Sequence, residues 1–499
     1  MTRGVGVVTL ALALVGCAKT QPEAEAGTQR SGGALEERCE VRPPFTPNFE
    51  PEVEWAWTGS AVLPDHKQVM MTPVVVDVNG DGVSDVVFNS YASSYEVDGV
   101  LRAVSGANGQ DLWTVTDPAL RVRGAASIAA GDIDHDGKVE ICTVPESGAG
   151  LLCFEHDGTL KFRTTVPENS WGGPSFADLD GDGNVEILDG NHVFTHTGEL
   201  KWVGAGNMGG AGAGPVSYAA DLDQDGKLEV INDQVIYRHD GSVKCYNFAV
   251  NNGLSGVANF DSDPNGEIAL VGGGKLFLMN DDCSVVWSRE LPLGGYGGAP
   301  NIADFDNDGQ VEIGVAGADA YSVFEADGTV KWSSATKDHS SNRTGSSTFD
   351  FEGDGKAEVV YADEQKLRIY DGASGAVRFE VDHSSCTTYE NPVIVDVDGD
   401  DNAEILVAQN ASCGLGNFAG IRVFRDKRDG WVNTRRVWNQ HAYSVTNVND
   451  DGTIPAHPAT NWLTPGLNTF RSNSQGVGTT SPFAASDLQV VAPVESSCD

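Results

Sequence analysis

Short apolar segments recur along the chain, and each runs into a polar stretch in which acidic residues alternate with other positions before the next apolar segment begins. The clearest copy is SFADLDGDGNVEILDG, where nine polar-rich residues, Asp178 to Glu186, separate two apolar runs. Sibling stretches lead into VVF, EVI and EIGV, which are short, rich in β-branched residues and read as strands. Near the N-terminus EVEWAW alternates strictly and predicts a strand ending at Trp57.

The polar stretches begin at Asp77, Asp132, Asp178, Asp221, Asn259, Asp304, Asp350 and Asp396, with steps of 38 to 55 residues and mostly near 45. A second marker keeps step with the first. It is a turn followed by a bulky or apolar strand: ANGQDLW to Trp113, HDGTLKF to Phe162, HTGELKW to Trp202, HDGSVKC to Cys245, DDCSVVW to Trp287, ADGTVKW to Trp332 and ASGAVRF to Phe379. Asp-Gly turns of this kind join adjacent antiparallel strands. Each period therefore reads as strand, acidic loop, strand, connection, strand, tight turn, strand. One such unit cannot bury both faces of its sheet, so the units must stack, and closing them into a ring removes the exposed ends. The expected fold is an all-β propeller of four-stranded antiparallel blades. Eight blades are preferred. Seven is the alternative, because the Trp57 strand competes for the closing position with GIRVF and TRRVW, which are expected as two further strands after the eighth loop and end at Trp438.

The acidic loop has its own chemistry. Asp178, Asp180, Asp182 and Glu186 stand at its first, third, fifth and ninth positions, the Asn184 carbonyl lies between, and glycine at the sixth suits a tightly curled backbone. Ca²⁺ takes six to eight oxygens, and alternate residues of a curling loop can supply them. An EF-hand would need a glutamate at position twelve and flanking helices, whereas this loop runs into strands.

The segments WGGPSFADLDGDG, Trp171 to Gly183, and YGGAPNIADFDNDG, Tyr296 to Gly309, resemble the FG-GAP repeat, also called VCBS or integrin α N-terminal-like. That resemblance covers roughly residues 55–410 and implies a seven- or eight-bladed β-propeller with Ca²⁺ in loops between the first two strands of blades. Carried over position by position, the ligand sets are Asp132, Asp134, Asp136 and Glu140; Asp178, Asp180, Asp182 and Glu186; Asp221, Asp223, Asp225 and Glu229; and Asp304, Asp306, Asp308 and Glu312. The first loop offers Asp77, Asn79, Asp81 and Asp85, and the seventh Asp350, Glu352, Asp354 and Glu358. The eighth offers Asp396, Asp398, Asp400 and Glu404, with Asp401 where its siblings have glycine. The fifth keeps the spacing with Asn259, Asp261, Asp263 and Glu267, but Pro264 at the sixth position fixes φ negative and leaves its occupancy open.

A formal net charge of −40 disfavours nucleic acid and anionic membranes as partners. At the N-terminus Arg3 precedes the apolar run VGVVTLALALV, too short for a mature span, and Leu14-Val15-Gly16-Cys17 resembles a bacterial lipobox. That implies cleavage before Cys17, acylation of its thiol, and display from the outer membrane. The expected division is leader 1–17, tether 18–51, propeller 52–440 and a C-terminal extension 441–499. Nine cysteines less Cys17 leave an even number, and the expected disulfides are Cys142–Cys153, Cys386–Cys413, Cys245–Cys283 and Cys39–Cys498. In the extension Asn447, Asn449 and Asp451 imitate a ninth loop, with Pro455 in place of the closing acid, and DLQVV, Asp487 to Val491, is a possible stub of a β-sandwich.

No HExxH, GxSxG or P-loop motif occurs. His192 and His196 read as loop residues. AVSGANGQDLW and IYDGASGAVRF are similar to the tryptophan-docking strands of quinoprotein propellers, which keeps a quinone-dependent dehydrogenase or a polysaccharide lyase as the alternative. The tryptophans there read as wedges between blades. The preferred function is calcium-stiffened recognition of a protein or glycan at the cell surface, with no catalytic residues and no cofactor besides Ca²⁺.

Overall fold

The computed structural model describes residues 49–167, 171–210 and 214–475. Within them thirty-two strands form eight four-stranded antiparallel sheets arranged in a ring. Blade one is Val74–Val76, Asp85–Ser90, Val100–Ser105 and Asp111–Thr114. Six more blades follow in chain order, each built from consecutive strands. The leading strands line the axis: Val74–Val76 lies beside Ala129–Gly131, and that beside Ser175–Ala177.

Burial falls from axis to rim, and the sequence follows it. VVV and DVVFNS in blade one are buried throughout, because neighbouring blades cover both faces, so no polar alternation is needed. Outer strands such as LKFR and VVWSRE are largely exposed.

Blade eight joins the two ends of the ring. Val393–Val395, Glu404–Gln409 and Gly420–Asp426 take Pro51–Trp57 as their outermost strand, with Pro51 opposite Asp426 and Trp57 opposite Ile421. The N-terminal strand therefore wins the closing position. TRRVW, expected as a strand, is not one: Trp438 makes an isolated bridge to Val75 at the axis, and its ring is fully buried there. His192 is likewise corrected, since it opens the strand His192–Thr195.

The tryptophans are wedges between blades. Trp113 packs on the turn of the next blade and its indole N–H donates to the His156 carbonyl at 3.0 Å. Gly158 in that turn has φ +80°, and a Cβ there would lie 2.9 Å from the Trp113 ring, so only glycine fits. Trp55, Trp202, Trp287 and Trp332 meet Gly109, Gly241, Gly328 and Gly375 in the same way. Between blades four and five Cys245 stands at the wedge position and Cys283, φ +64°, at the turn position, and the two are bonded. Cys142–Cys153 and Cys386–Cys413 also form as expected. Because Cys245–Cys283 closes a 38-residue separation where no aromatic wedge exists, the Cys245→Ser/Cys283→Ser variant is expected to lose about 2–4 kcal/mol. Chemical denaturation of both forms checks this, and an unchanged midpoint would contradict it.

Beyond Asp426 the described residues make no further strand and only two short 3₁₀ turns, Val445–Asn447 and Asn461–Leu463, yet they hold the ring together from inside. Trp438 bridges Val75 of blade one, Gln440 bridges Ala129 of blade two, and the Gln440 side chain accepts from Phe176 N of blade three. Thr460 donates to Gln224 of blade four, and Trp462 to the Pro264 carbonyl of blade five. The segment then returns to the axis, where Phe470 bridges Ile302, Ser472 bridges Thr348, and Asn473 donates to the Ile394 carbonyl. All eight blades are reached. Cys17, the tether up to residue 48, the Cys39–Cys498 pair and DLQVV lie outside the described residues, and Pro51, expected in the tether, opens the closing strand.

Candidate metal centres on the loop face

Each acidic loop joins the first and second strands of its blade, and the closing acid is the first residue of the second strand in all eight blades. That position is fixed by backbone hydrogen bonds. The closing carboxylate accepts the N–H of loop position two, as Glu186 does from Leu179 at 2.9 Å and Glu404 from Val397 at 2.9 Å. The first aspartate accepts the N–H of position six, as Asp178 does from Gly183 at 2.7 Å. Gly183 has φ +86°; Asp401 takes the same left-handed turn at φ +77°, which aspartate tolerates better than most residues.

In blades two, three, four, six and eight the loops bring several carboxylate oxygens together. One carboxylate oxygen from each of Asp304, Asp306, Asp308 and Glu312 lies within 4.8 Å of the others, and the same holds for Asp396, Asp398, Asp400 and Glu404. In blades two and four the three aspartates converge, and in blade three Asp178, Asp180 and Glu186 do. Two oxygens on opposite sides of a Ca²⁺ stand about 4.6–5.2 Å apart, so the clusters could hold that ion. Orphaned atoms fit the same reading: Asp85 Oδ1, Asp132 Oδ1, Asp180 Oδ1 and Asp306 Oδ1 are buried with no hydrogen-bond partner. Burial also pushes the closing acids up, to about 7 for Asp85, Glu140 and Glu229, to about 8 for Glu312, and well above the usual range for Glu358 and Glu404. A divalent cation would offset that desolvation cost.

The fifth loop departs from its siblings. Neither Ser262 nor Pro264 adopts a positive φ, and the Asn259 side-chain amide donates to the Asp263 carbonyl, away from the space the other first residues share. The C-terminal segment braces it instead: Asn259 N donates to Asn468 Oδ1 at 2.9 Å and Asn468 Nδ2 to the Asn259 carbonyl at 2.8 Å. Other loops are also docked on that segment. Asp132 N donates to the Gly452 carbonyl, inside the imitation loop, and Arg436 Nε reaches Asp396 Oδ2 at 2.8 Å.

One functional position escaped the sequence reading. Lys161 Nζ lies 2.7 Å from Asp134 and 3.1 Å from Glu140, and Lys201 Nζ lies 3.3 Å from Asp180 and 2.7 Å from Glu186. Lys331 reaches Asp306 and Glu312, Arg378 reaches Glu352 and Glu358, and Lys244 reaches Asp223 with Glu229 at 3.8 Å. In each case a cation from the outer strand touches the third and ninth loop positions. The signal was present: the residue before the bulky one is basic in HDGTLKF, HTGELKW, HDGSVKC, ADGTVKW and ASGAVRF.

The model of a family described as FG-GAP-like repeat matches residues 132–188 and 350–407. Those two stretches match the FG-GAP-like repeat within an eight-bladed β-propeller. The propeller is 30% identical over 115 residues to Cell surface glycoprotein 1 of the archaeon Haloarcula hispanica, a match that spans 23% of this chain and 12% of that protein. Its fold is similar to that of the Vibrio cholerae biofilm matrix protein Bap1, with a TM-score of 0.76 and 22% identity over 85% of this chain and 99% of that one. A rhamnogalacturonan lyase of Bacillus licheniformis matches at a TM-score of 0.51 and 17% identity, over 90% of this chain and 81% of that one. At these identities the two structural matches establish the propeller fold alone.

Two further features bear on what the propeller can do. A cleft of about 500 Å³ opens on the loop face beside Asp304 and Asp350, lined by Ser472, Asn473 and Gln475 on one side and by Ala357, Pro465 and Leu467 on the other. At the opposite end Asp338, Glu364 and Glu390 are buried, but backbone N–H groups consume them: Asn342 N donates to Asp338, His339 N to Glu364 and Thr388 N to Glu390.

Proposed function

We propose that this propeller is a surface adhesion module whose acidic loops are stiffened by Ca²⁺ and whose ligand is a protein or a glycan. The observation that carries the reading is the axis. A propeller enzyme of the lyase or quinoprotein kind calls for a deep axial pocket, whereas here the axis is filled by Trp438, Tyr443 and Phe470, all buried. Likeness to a cell surface glycoprotein and to a biofilm matrix protein supports the same direction. The cleft beside Asp304 and Asp350 falls within the usual size of small-ligand sites, about 300–1,000 Å³, and has on one side the hydroxyl and amide lining that a sugar would use. In this reading residues 1–17 direct export, Cys17 carries the lipid, residues 18–48 lift the ring off the outer membrane, and the last segment serves as its hub.

The test is retention of the soluble chain, beginning after Cys17, on a panel of immobilised glycans in Ca²⁺ and in EDTA, with product release measured in parallel. Retention in Ca²⁺ that is lost in EDTA is expected. Unsaturated sugar released from rhamnogalacturonan, or turnover of an alcohol, would replace adhesion with the enzyme reading.

A further inference from the structure

In every blade the third and outer strands slip register at one place, a β-bulge that leaves one outer-strand residue unpaired. Bulges re-aim side chains. In blades two, three, four, six and seven the unpaired residue is the lysine or arginine that touches loop positions three and nine. In blade one it is Leu112, in blade five Val286, and in blade eight Glu54 from the N-terminal strand.

These three exceptions differ in consequence. Blade five has the braced, proline-bearing loop. In blade one no ion pair reaches Asp77, Asp81 or Asp85 among the described residues, and Asp85, 1% exposed, keeps Oδ1 buried without a partner. In blade eight Glu54 faces Asp398 and Asp400, and its Oε2 is buried without a hydrogen-bond partner. Arg436 neutralises that loop only at its far side, on Asp396 and Asp401, and among the described residues no cation pairs with Asp398 or Glu404.

Resting on the reading of these loops as divalent-cation sites, we propose that the bulge residue sorts them: blades one and eight bind the ion tightly, Glu54 serving blade eight as a fifth carboxylate, while the tethered lysines and arginine weaken binding in the other five. An ammonium already between two ligands repels an incoming cation, and one unit charge at 4–6 Å moves an equilibrium by about tenfold or more. Leu112 adds no such charge, and Glu54 adds the opposite one. Because Glu54 belongs to the strand that closes the ring, an ion in blade eight ties Pro51–Trp57 to the loop of the last blade.

Calorimetric titration of Ca²⁺ into the metal-stripped chain tests this, with Glu54→Gln and Lys201→Met compared against the wild type and circular dichroism confirming that each is folded. Two tight sites are expected, above a weaker set. Glu54→Gln should remove one tight site or weaken it about tenfold or more, and hydrogen exchange in residues 51–57 should lose its slowing by Ca²⁺. Lys201→Met should add a tight site. Ions bound with one common affinity in all three proteins would overturn the sorting and leave the metal reading intact; no ion bound in any of them would overturn both. If Glu54→Gln does not fold, the Lys201→Met titration decides, an unchanged count of tight sites overturning the proposal.

Discussion

Trp438→Ala is expected to cost about 3–5 kcal/mol, near the upper end for a single core truncation. The residue sits at the ring axis, 0% exposed, with its backbone N–H donating to the Val75 carbonyl at 2.9 Å and its ring stacked on Tyr443 at 4.3 Å between centroids. Removing the indole leaves a cavity where the C-terminal segment meets blade one, and backbone on both sides is already held by other bridges, so little collapse can fill it. Trp438→Phe separates packing from polarity. Among the described residues the indole N–H has no partner, so most of the loss should be recovered by phenylalanine. Denaturant midpoints of the three proteins measure this. If alanine costs under about 1 kcal/mol, the C-terminal segment is an appendage and its role as a hub is wrong.

Removing divalent metal should have the second large effect. If the loops bind at the affinity usual for extracellular Ca²⁺ modules, about 10⁻⁴–10⁻³ M, each filled loop stabilises the fold by about 1.4–2.7 kcal/mol at about 10 mM ion. Several filled loops would move the melting temperature by about 10 °C between EDTA and Ca²⁺. The pH dependence should reverse as well. In the metal-free protein burial holds Asp85, Glu140 and Glu229 at about 7 and Glu312 at about 8, above their unfolded values. The folded state then binds more protons than the unfolded one, and stability falls as pH rises from about 4.5 through about 8. Bound Ca²⁺ keeps these carboxylates ionised and should abolish that loss. Thermal melts at several pH values, with and without Ca²⁺, check both parts. Identical curves in EDTA and Ca²⁺ would show that the loops serve something other than metal.

The local features were the legible ones. Loop ligands recur at fixed spacing because a curling backbone must present alternate side chains inward, and that geometry is complete within nine residues, Asp178 to Glu186. Strand patterns, Asp-Gly turns and the blade-sized period are also local. They gave the four-stranded blades and the preferred count of eight. The Cys283 position could be read too, since it falls where other repeats carry the turn glycine, although its bond to Cys245 needed the neighbouring blade.

What the sequence left open involved partners far apart in the chain. Pro51–Trp57 and TRRVW look alike as closing strands. The ring chose the first because Pro51–Trp57 pairs with Gly420–Asp426 on both sides of its bulge, whereas Trp438 bridges Val75 of blade one at the axis. The segment after Asp426 has no period to announce it, since each of its contacts is made to a different blade. Lys161 and Glu54 occupy the same bulge, but only pairing with the third strand aims them at a loop whose charge they offset in one blade and increase in another. By itself, then, the sequence determined repeat, blade and loop, because their physics is short-range. Ring closure, the filled axis and the charge balance of each loop were decided by tertiary structure, because they depend on which distant segments share a surface.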